Sequence, residues 1–253
     1  MEKKLLSVEG LTAAYGESAV LRNTCLSVRK GSVTTVMGRN GVGKSTLLRT
    51  IMGLVPAKEG EVLLNGVSIT RLPSYRIARA GIGYVPQGRE IIPRLTVEEN
   101  LRLGLEAAGR GAVLEAVAGR GRSGDAAPGT RMSEEAIYGL FPILKTFRRR
   151  PGGNLSGGQQ QQLAIGRALI SGPSLLLLDE PTEGIQPSIA IEIGDIIRRL
   201  VTERGISVLL VEQKIDFARH VTDHFYFMDR GKMVRDGDAG DFDFHELQQH
   251  IAV

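Results

Sequence analysis

The stretch Gly38-Arg39-Asn40-Gly41-Val42-Gly43-Lys44-Ser45-Thr46 has the spacing G-x-x-x-x-G-K-[ST] of a phosphate-binding P-loop. The apolar run Val33 to Met37 before it predicts a strand, and apolar residues at 47, 48 and 51 have helical spacing. Glycines let the backbone turn its N–H groups inward, and the helix start adds partial positive charge where phosphates would sit. The flanking elements favour this interpretation over a chance glycine-rich turn, so the stretch predicts nucleotide binding.

Two side chains of the P-loop carry chemistry of their own. Lys44 would reach the β- and γ-phosphates, and Ser45 would be a ligand of Mg²⁺. What happens to the nucleotide has to be inferred from the rest of the chain.

Length and composition allow one large α/β domain, or a domain with an inserted subdomain, in the 253 residues. The net charge of +4 is too small an excess to indicate a nucleic-acid partner by itself. The single cysteine, Cys25, excludes an internal disulfide and fits a reducing compartment. Because Cys25 lies in the apolar-alternating run Val20 to Val28, we expect a structural rather than a reactive thiol.

The apolar segments of the chain are all short. No run approaches the roughly 18 apolar residues that a membrane-spanning helix needs. Only Leu5 and Leu6 follow Lys3 and Lys4 before polar residues return, so we expect no secretory signal. Any role at a membrane would therefore depend on a partner.

A second chemical feature is the acid pair Asp179-Glu180, which ends the apolar run of residues 174–178. An unbroken apolar run without alternation predicts a strand buried on both faces of a parallel sheet. Acids at the carboxyl end of such a strand are costly to bury unpaired, and ligands bind at that end of open α/β sheets. Asp179 could hold Mg²⁺ and Glu180 could polarise an attacking water. A helix-capping acid pair is the weaker alternative.

A third feature is Leu155-Ser156-Gly157-Gly158-Gln159, which precedes an apolar stripe with helical spacing. Ser156 is placed to cap this helix, and Gly157 and Gly158 permit close approach of backbone to a ligand. The segment, which we call the signature segment, predicts a second anion site at a helix start.

The remaining pattern predicts several elements and leaves some alternatives open. Tyr15 precedes a glycine turn and could stack on an adenine ring, or could be a half-buried loop tyrosine. Thr96 and Glu99 form a capping box for a helix to about Ala108, whereas residues 109–130 have the composition of a flexible excursion. His220 and His224 lie four apart on a predicted helix, where solvent exposure is more probable than zinc binding. Strands are predicted over 5–9, 20–28, 62–64, 67–69, 82–85, 206–211, 225–228 and 232–234, and further helices over 71–80, 133–140 and 187–200.

Taken in order, Tyr15, the P-loop, Gln87, the signature segment and Asp179-Glu180 resemble the ATP-binding subunit of ABC transporters, over about residues 5–240. This resemblance implies a single α/β domain, 1–253, with the ABC-ATPase version of the P-loop NTPase fold. A RecA-like core with an antiparallel β subdomain would comprise 1–87 and 155–240. An inserted α-helical subdomain would comprise 88–154, and 241–253 would be a C-terminal tail.

Three longer stretches are similar to one branch of that family, the importers of branched-chain amino acids and urea. The residues of these stretches are most similar to those of the second ATPase subunit of urea transporters. This resemblance implies import of a small polar solute, urea. Alternatives are a branched-chain amino-acid or short-chain amide importer, a soluble ABC ATPase outside transport, and a non-hydrolysing interaction module. The three stretches are Tyr84 to Ile91, Gly157 to Leu169 and Asp179 to Ser188.

The resemblance also implies a role for each motif in binding and hydrolysing ATP with Mg²⁺. The P-loop would hold the phosphates, Tyr15 would stack on adenine, and Ser45, Gln87 and Asp179 would surround Mg²⁺. Gln87 would sense the γ-phosphate and Glu180 would be the general base. The signature residues Ser156, Gly157, Gly158 and Gln159 would face the γ-phosphate held by an opposite subunit.

Implied partners are a second ATPase subunit, different or identical, two transmembrane permease subunits, and indirectly an extracytoplasmic solute-binding protein. No nucleic-acid partner is expected. The location would be cytoplasmic, peripheral on the inner face of the membrane, with the segment 88–154 as the surface that docks on the permeases.

Two positions depart from the family pattern. Gln213 stands where ABC ATPases commonly have histidine, and Gln186 stands where they commonly have aspartate. Glutamine can donate a hydrogen bond to the γ-phosphate but cannot carry the proton of histidine. We include Gln213 among the catalytic candidates, with Glu180, Lys44 and Gln87, although the substitution puts rapid turnover in doubt.

Overall fold

Two β-sheets organise the computed structural model, which describes residues 3–106 and 130–241. One sheet has six strands and is mainly parallel, and the other has four antiparallel strands. The strands are β1 (Lys4–Tyr15), β2 (Ser18–Arg29), β3 (Val33–Met37), β4 (Ala57–Leu64), β5 (Val67–Ser68), β6 (Ile82–Val85), β7 (Leu175–Asp179), β8 (Ser207–Glu212), β9 (His224–Asp229) and β10 (Lys232–Asp238).

The six-stranded sheet has the order β10-β9-β3-β8-β7-β6, and only β10 runs antiparallel to its neighbour. Every residue of β3, β7 and β8 is buried, which explains why their sequences are rich in apolar residues and lack alternation. The register pairs Met37 with Glu212 and Asp179 with Val211. The carboxyl ends of these strands therefore meet at one edge, where the P-loop, the acid pair and Gln213 follow.

The four-stranded sheet has the order β2-β1-β4-β5. Its buried residues pack in one cluster with those of the helix that follows the P-loop. β1 continues to Tyr15, so the strand predicted over 5–9 was too short. Register shifts between Val8 and Leu11 and again near Ala13 break the alternation that marks a strand in sequence. The strands predicted over 62–64 and 67–69 form an antiparallel hairpin, with φ of 50° and 80° at the turn residues Asn65 and Gly66.

The described helices are α1 (Lys44–Ile51), α2 (Ser74–Arg79), α3 (Val97–Glu106), α4 (Glu134–Leu140), α5 (Pro142–Thr146), α6 (Gly157–Leu169), α7 (Pro187–Arg204) and α8 (Ile215–Val221). The helix predicted over 71–80 is shorter, and the one predicted over 187–200 extends to Arg204, where Gly205 ends it with φ 64°. None of these helices combines the length and apolarity that crossing a membrane requires.

The helical part between β6 and β7 packs α3 closely on α6. A Cβ atom built on Gly104 would lie 2.1 Å from the carbonyl oxygen of Arg167, so only glycine allows this approach. The capping box before α3 is confirmed, since the Thr96 amide donates to Glu99 at 2.8 Å and the Glu99 amide donates to Thr96 Oγ1 at 3.2 Å. The boundaries 88–154 of a helical subdomain stay a prediction.

Two predicted segments fall largely outside the described residues. They are the excursion 109–130, except for Thr130, and the tail 241–253, except for Asp241.

Two predictions about single residues need correction. His220 lies on α8, but α8 ends at Val221 and His224 begins β9, because the backbone of Thr222 is extended. His224 is buried and its Nδ1 contacts Asp238 Oδ1 at 2.8 Å, so it is not a solvent-facing residue. Cys25 is exposed on β2 rather than part of the core, and its sulfur accepts a hydrogen bond from the Gly10 amide at 3.2 Å.

Gly231, in the turn between β9 and β10, joins the two sheets and the P-loop. Its amide donates to the carbonyl of Val42 in the P-loop, 2.9 Å away. Its carbonyl accepts from the Arg22 amide at 2.9 Å and from the Thr24 hydroxyl at 2.7 Å, both on β2. With φ 78°, and with a Cβ position only 1.9 Å from the Val20 carbonyl, the site admits glycine alone.

We therefore expect Gly231→Ala to lower the free energy of unfolding by about 4 kcal/mol, because strain at positive φ adds to a backbone collision. Gly66→Ala is the matched control, since Gly66 has φ 80° but open space around its Cβ position. That control should lose only about 1 kcal/mol. Urea unfolding followed by circular dichroism measures the free energy of unfolding of both variants. Equal losses would contradict the role of Gly231 in joining the two sheets and the P-loop.

Candidate active site

The P-loop wraps around the ammonium group of Lys44, the first residue of α1. Lys44 Nζ donates to the carbonyl oxygens of Gly38 at 2.8 Å and Arg39 at 2.9 Å, and it lies 3.4 Å from Glu180 Oε1. Lys44 is 4% exposed, so its charge is neutralised within the protein. The free amide groups at the start of α1 open onto the same space, which gives the loop the character of an anion site.

A cavity of about 230 Å³ lies over the P-loop. Most of its walls come from the P-loop itself, and the others come from the ends of β6 and β7 and from β2. Its lining residues are Val20, Asn40, Gly41, Gly43, Lys44, Ser45, Thr46, Gln87 and Glu180. The structure therefore brings Lys44, Ser45, Gln87 and Glu180 to one cavity, whereas Gln213 and Asp179 are not among its lining residues.

Asp179 lies at the floor of the site and is 1% exposed. Its Oδ1 accepts from the Ser45 hydroxyl at 2.8 Å, and its Oδ2 accepts from the Tyr84 hydroxyl at 3.4 Å. Burial, with a smaller effect of the Glu180 charge, raises the pKa of Asp179, while the hydrogen bond from Ser45 opposes that change. The sequence did not indicate Tyr84, whose own pKa is raised by burial and then by Asp179.

Glu180 leaves the end of β7 in a left-handed conformation, with φ 47°. This conformation is costly for a residue other than glycine, and here the Glu180 amide is fixed by a 2.9 Å bond to the Val211 carbonyl on β8. The turn separates the two acids, because Asp179 stays buried while Glu180 reaches the cavity. Gln87 Nε2 approaches Glu180 Oε2 at 3.4 Å and donates to Glu183 Oε2 at 2.9 Å.

The residue before Gln213 has a structural role that the sequence did not reveal. Glu212 is 2% exposed, and its Oε1 accepts from the amides of Gln213 at 2.8 Å and Lys214 at 3.0 Å. Its Oε2 accepts from the Thr182 hydroxyl at 2.8 Å. Burial raises the pKa of Glu212, and the three donors oppose the shift. Glu212 thereby fixes the backbone at Gln213 and the loop after Glu180 to each other.

The signature segment begins α6 as predicted. Ser156 Oγ accepts from the Gln159 amide at 3.4 Å, and Gln159 Oε1 accepts from the Ser156 amide at 3.0 Å, which completes a capping box. Ser156 is exposed, and no signature residue lines the P-loop cavity of the described chain. A γ-phosphate contact from this segment therefore needs a second chain.

Tyr15 ends β1 with 49% of its surface exposed. Hydrogen bonds that the Arg49 guanidinium donates to the hydroxyl oxygens of Tyr15 and Tyr84 raise the pKa of Arg49 on α1, which places Tyr15 beside α1. Val20, from the neighbouring strand, lines the cavity itself. Stacking of Tyr15 on adenine stays a prediction, and so do the other single-residue roles.

The side chains at this edge fit a magnesium nucleotide. A buried carboxylate beside a serine hydroxyl, Asp179 beside Ser45, offers the oxygen ligands that Mg²⁺ prefers. Lys44 and the amides of the P-loop offer donors for phosphate oxygens. Ser45, Asp179 and Gln87 would hold the cation, and Lys44 and the P-loop amides would hold the phosphates.

Comparison with known proteins agrees with this assignment. The family model described as ABC transporter matches residues 21–183. The high-affinity branched-chain amino acid transport ATP-binding protein BraG of Pseudomonas aeruginosa is 39% identical over 230 residues, 91% of each chain. The probable branched-chain amino acid transport ATP-binding protein LivF of Archaeoglobus fulgidus is 35% identical over 249 residues, 98% of each chain.

Solved structures agree with the fold. A nucleotide-free ATP-binding cassette from an ABC transporter has a TM-score of 0.76 and 29% identity, covering 99% of this chain and 96% of that one. A dimeric ATP-binding cassette in a post-hydrolysis state, bound to ADP and Pi, has a TM-score of 0.77 and 28% identity, covering 94% and 100%. The predicted α/β cassette fold, with its antiparallel sheet and helical part, is confirmed.

We expect Asp179→Asn to separate stability from metal binding. Its raised pKa means that folding disfavours the charged form, so its contribution to stability is complete below the unfolded pKa and is lost as pH rises through the folded pKa. Removing the charge should therefore raise the free energy of unfolding of the nucleotide-free chain at pH 7 by about 1 kcal/mol, and its melting temperature by about 3 °C. The further stabilisation by ATP with Mg²⁺ over ATP with EDTA should disappear.

Differential scanning fluorimetry measures both quantities. Glu212→Gln is the matched control, because Glu212 is a second buried acid with a raised pKa at a strand end. It should keep the magnesium-dependent shift. A full magnesium-dependent shift in Asp179→Asn would remove Asp179 from the metal site.

Proposed function

The chain belongs to the ABC transporter family as an ATPase coupled to transport, and we propose that it powers the uptake of a small polar solute, urea. The observation that carries the ATPase role is the convergence of Lys44, Ser45, Gln87 and Glu180 on one cavity, with Asp179 beneath it. These side chains come from three separate strand ends, and the sheet register brings them to one edge.

In the proposed reaction, Lys44 exchanges its carbonyl partners for the β- and γ-phosphates of ATP. Glu180 accepts a proton from the attacking water, because its carboxylate already faces the space above the P-loop. Gln87, which bonds Glu183 and approaches Glu180, turns its amide toward the γ-phosphate. When held by Ser45, Gln87 and Asp179, Mg²⁺ supplies charge neutralisation for the phosphates.

We propose that the site is completed by a second ATPase chain, different or identical. Ser156, Gly157, Gly158 and Gln159 form a capped helix start with the donors of an anion site, yet they do not line the cavity of their own chain. In a head-to-tail pair they would close over the γ-phosphate on the partner. Support also comes from the dimeric cassette bound to ADP and Pi, which is similar to this chain.

The remaining partners are proposed from the family. Two permease subunits would dock on segment 88–154, which places the chain at the cytoplasmic face of the membrane. A solute-binding protein outside the membrane would deliver the solute, and no nucleic-acid partner is proposed.

Gln213 is proposed as the donor that contacts the γ-phosphate from the end of β8. Its backbone is held by Glu212, one residue beyond the pair Met37–Glu212 and thus beside the start of the P-loop. A glutamine amide can donate there but cannot exchange a proton, so proton transfer is left to Glu180.

Urea and branched-chain amino acids are the two solutes that observations favour. Urea is supported by the amino-acid sequences of three stretches, which are Tyr84–Ile91, Gly157–Leu169 and Asp179–Ser188. The names of the relatives in Pseudomonas aeruginosa and Archaeoglobus fulgidus support branched-chain amino acids. We propose urea because these three stretches include the catalytic and signature segments.

A reconstituted system decides between the two solutes. The chain would be co-purified with its permeases and partner ATPase, placed in proteoliposomes, and supplied with the solute-binding protein. Radiolabelled urea should enter only with internal ATP, and urea should stimulate phosphate release several-fold. Stimulation by leucine but not by urea would replace urea with branched-chain amino acids.

We expect Glu180→Gln to lower ATP turnover by at least about 100-fold while ATP binding persists, because the general base is lost and the P-loop is intact. Binding should tighten, since the substitution removes the carboxylate 3.4 Å from Lys44 Nζ. Phosphate release and titration with a fluorescent ATP analogue give the two quantities.

Glu183→Gln is the control, because Glu183 contacts Gln87 but not Lys44. It should retain most of the turnover. If Glu180→Gln hydrolyses ATP at the normal rate, Glu180 is not the base.

A further inference from the structure

The turn after Gln87 has an unusual backbone. Gly88, Arg89 and Glu90 all have positive φ, of 83°, 71° and 46°. Two consecutive residues other than glycine in this region are strained, and such strain persists only where the surroundings enforce it. The contacts of Arg89 show what enforces it here.

Arg89 reaches two other segments with its half-buried guanidinium group. Nη1 contacts Gln160 Oε1 at 3.5 Å on the first turn of α6, and Nη2 donates to the Glu183 carbonyl at 3.2 Å in the loop after Glu180. The forked guanidinium can serve both acceptors at once, which an ammonium group on a flexible stem does less well.

Two glycines make room for this group. A Cβ atom on Gly157 would lie 3.2 Å from both Nη1 and Nη2, and one on Gly184 would lie 3.6 Å from Nη2. Arg89 therefore packs against the backbone of the signature segment itself. Arg167 on α6 holds the turn from the other side, since its Nη2 donates to the Glu90 carbonyl at 2.7 Å.

We propose that Arg89 is a positioning residue that couples the two ATP sites of a paired cassette. This inference rests on the proposed function. Gln87 faces the ATP bound by its own chain, and it lies two residues before Arg89. Gly157 faces the ATP of the partner, and it touches Arg89. A change in Gln87 on nucleotide binding is transmitted through Arg89 to the start of α6, and to the loop that carries Glu183.

Hydrogen exchange on the isolated chain tests this coupling directly. The chain would be kept at a concentration where light scattering shows a monomer, and exchange followed by mass spectrometry with and without Mg²⁺ and AMP-PNP. In the wild type, nucleotide should slow exchange in the P-loop, residues 38–46, and also at the start of α6, residues 156–160. In Arg89→Ala the first effect should remain, and the second should fall at least threefold.

Three further variants control for folding. Arg89→Lys should restore part of the response, because it keeps the charge but loses the fork. Gln160→Ala removes one acceptor without changing Arg89, and should weaken the response. Arg102→Ala is the matched control, because Arg102 is an exposed arginine of the same region that pairs with Glu98 and Glu134, and it should respond as the wild type does.

Turnover in the assembled transporter gives a second readout. Arg89→Ala should lower kcat about tenfold with less than a twofold change in KM for ATP, because the P-loop is untouched. A melting temperature within 2 °C of wild type would accompany this result, whereas a purely structural role would lower melting temperature and kcat together.

The exchange experiment distinguishes a failure of the proposed function from a failure of the coupling through Arg89. If the wild-type P-loop is not protected by nucleotide, the proposed function fails and the inference falls with it. If the P-loop is protected but residues 156–160 respond equally in wild type and Arg89→Ala, or in neither, the coupling is refuted while the proposed function stands.

Discussion

The structure depends on how buried charges are neutralised at one edge of an apolar sheet. Asp179 and Lys44 are almost fully buried, and an unpaired ion in such a place costs several kcal/mol. Lys44 donates to two P-loop carbonyls and lies 3.4 Å from Glu180, whereas Asp179 accepts from the hydroxyls of Ser45 and Tyr84 and is also influenced by the charge of Arg49. Both sets of partners are weaker than the ones that ATP and a divalent cation would provide. Phosphate oxygens would suit Lys44 better than carbonyls do, and a divalent cation would suit Asp179 better than hydroxyls do.

This constraint explains which features could be predicted from sequence. β3, β7 and β8 had to be rich in apolar residues because both faces are covered, and charged residues had to lie at or beyond the carboxyl ends of these strands, where ligands or donors can reach them. The P-loop and the capping box of α6 are local, and their spacing fixes their geometry. β1 was predicted too short, because bulges interrupt its alternation. His224 was placed on a helix because spacing alone cannot show where a helix ends.

Contacts between distant segments could not be predicted in this way. Glu183, Arg89 and Tyr84 all lie inside stretches that the sequence had singled out, yet nothing in their spacing says which side chains they meet. Gln87 and Glu183 are 96 residues apart and come together because β6 and β7 are adjacent. Adjacency of parallel strands is a property of topology, and local patterns report the chemistry of a residue but not its partner.

The same reasoning clarifies why a glutamine can stand at position 213. Glu212 accepts hydrogen bonds from the amides of Gln213 and Lys214, and it also accepts from Thr182 in the loop that follows Glu180. The backbone at 213 is therefore positioned by its neighbour, whatever side chain it carries. A side chain placed by its backbone needs only a donor of the right reach to contact a phosphate, and an amide provides one without a proton to exchange. Proton transfer then rests with Glu180, whose left-handed backbone, anchored to β8 through Val211, holds it apart from the buried Asp179. In the proposed function the roles divide accordingly: Asp179 and Ser45 would offer oxygens to a cation, Lys44 and Gln213 would offer donors to phosphate, and Glu180 would act as the base.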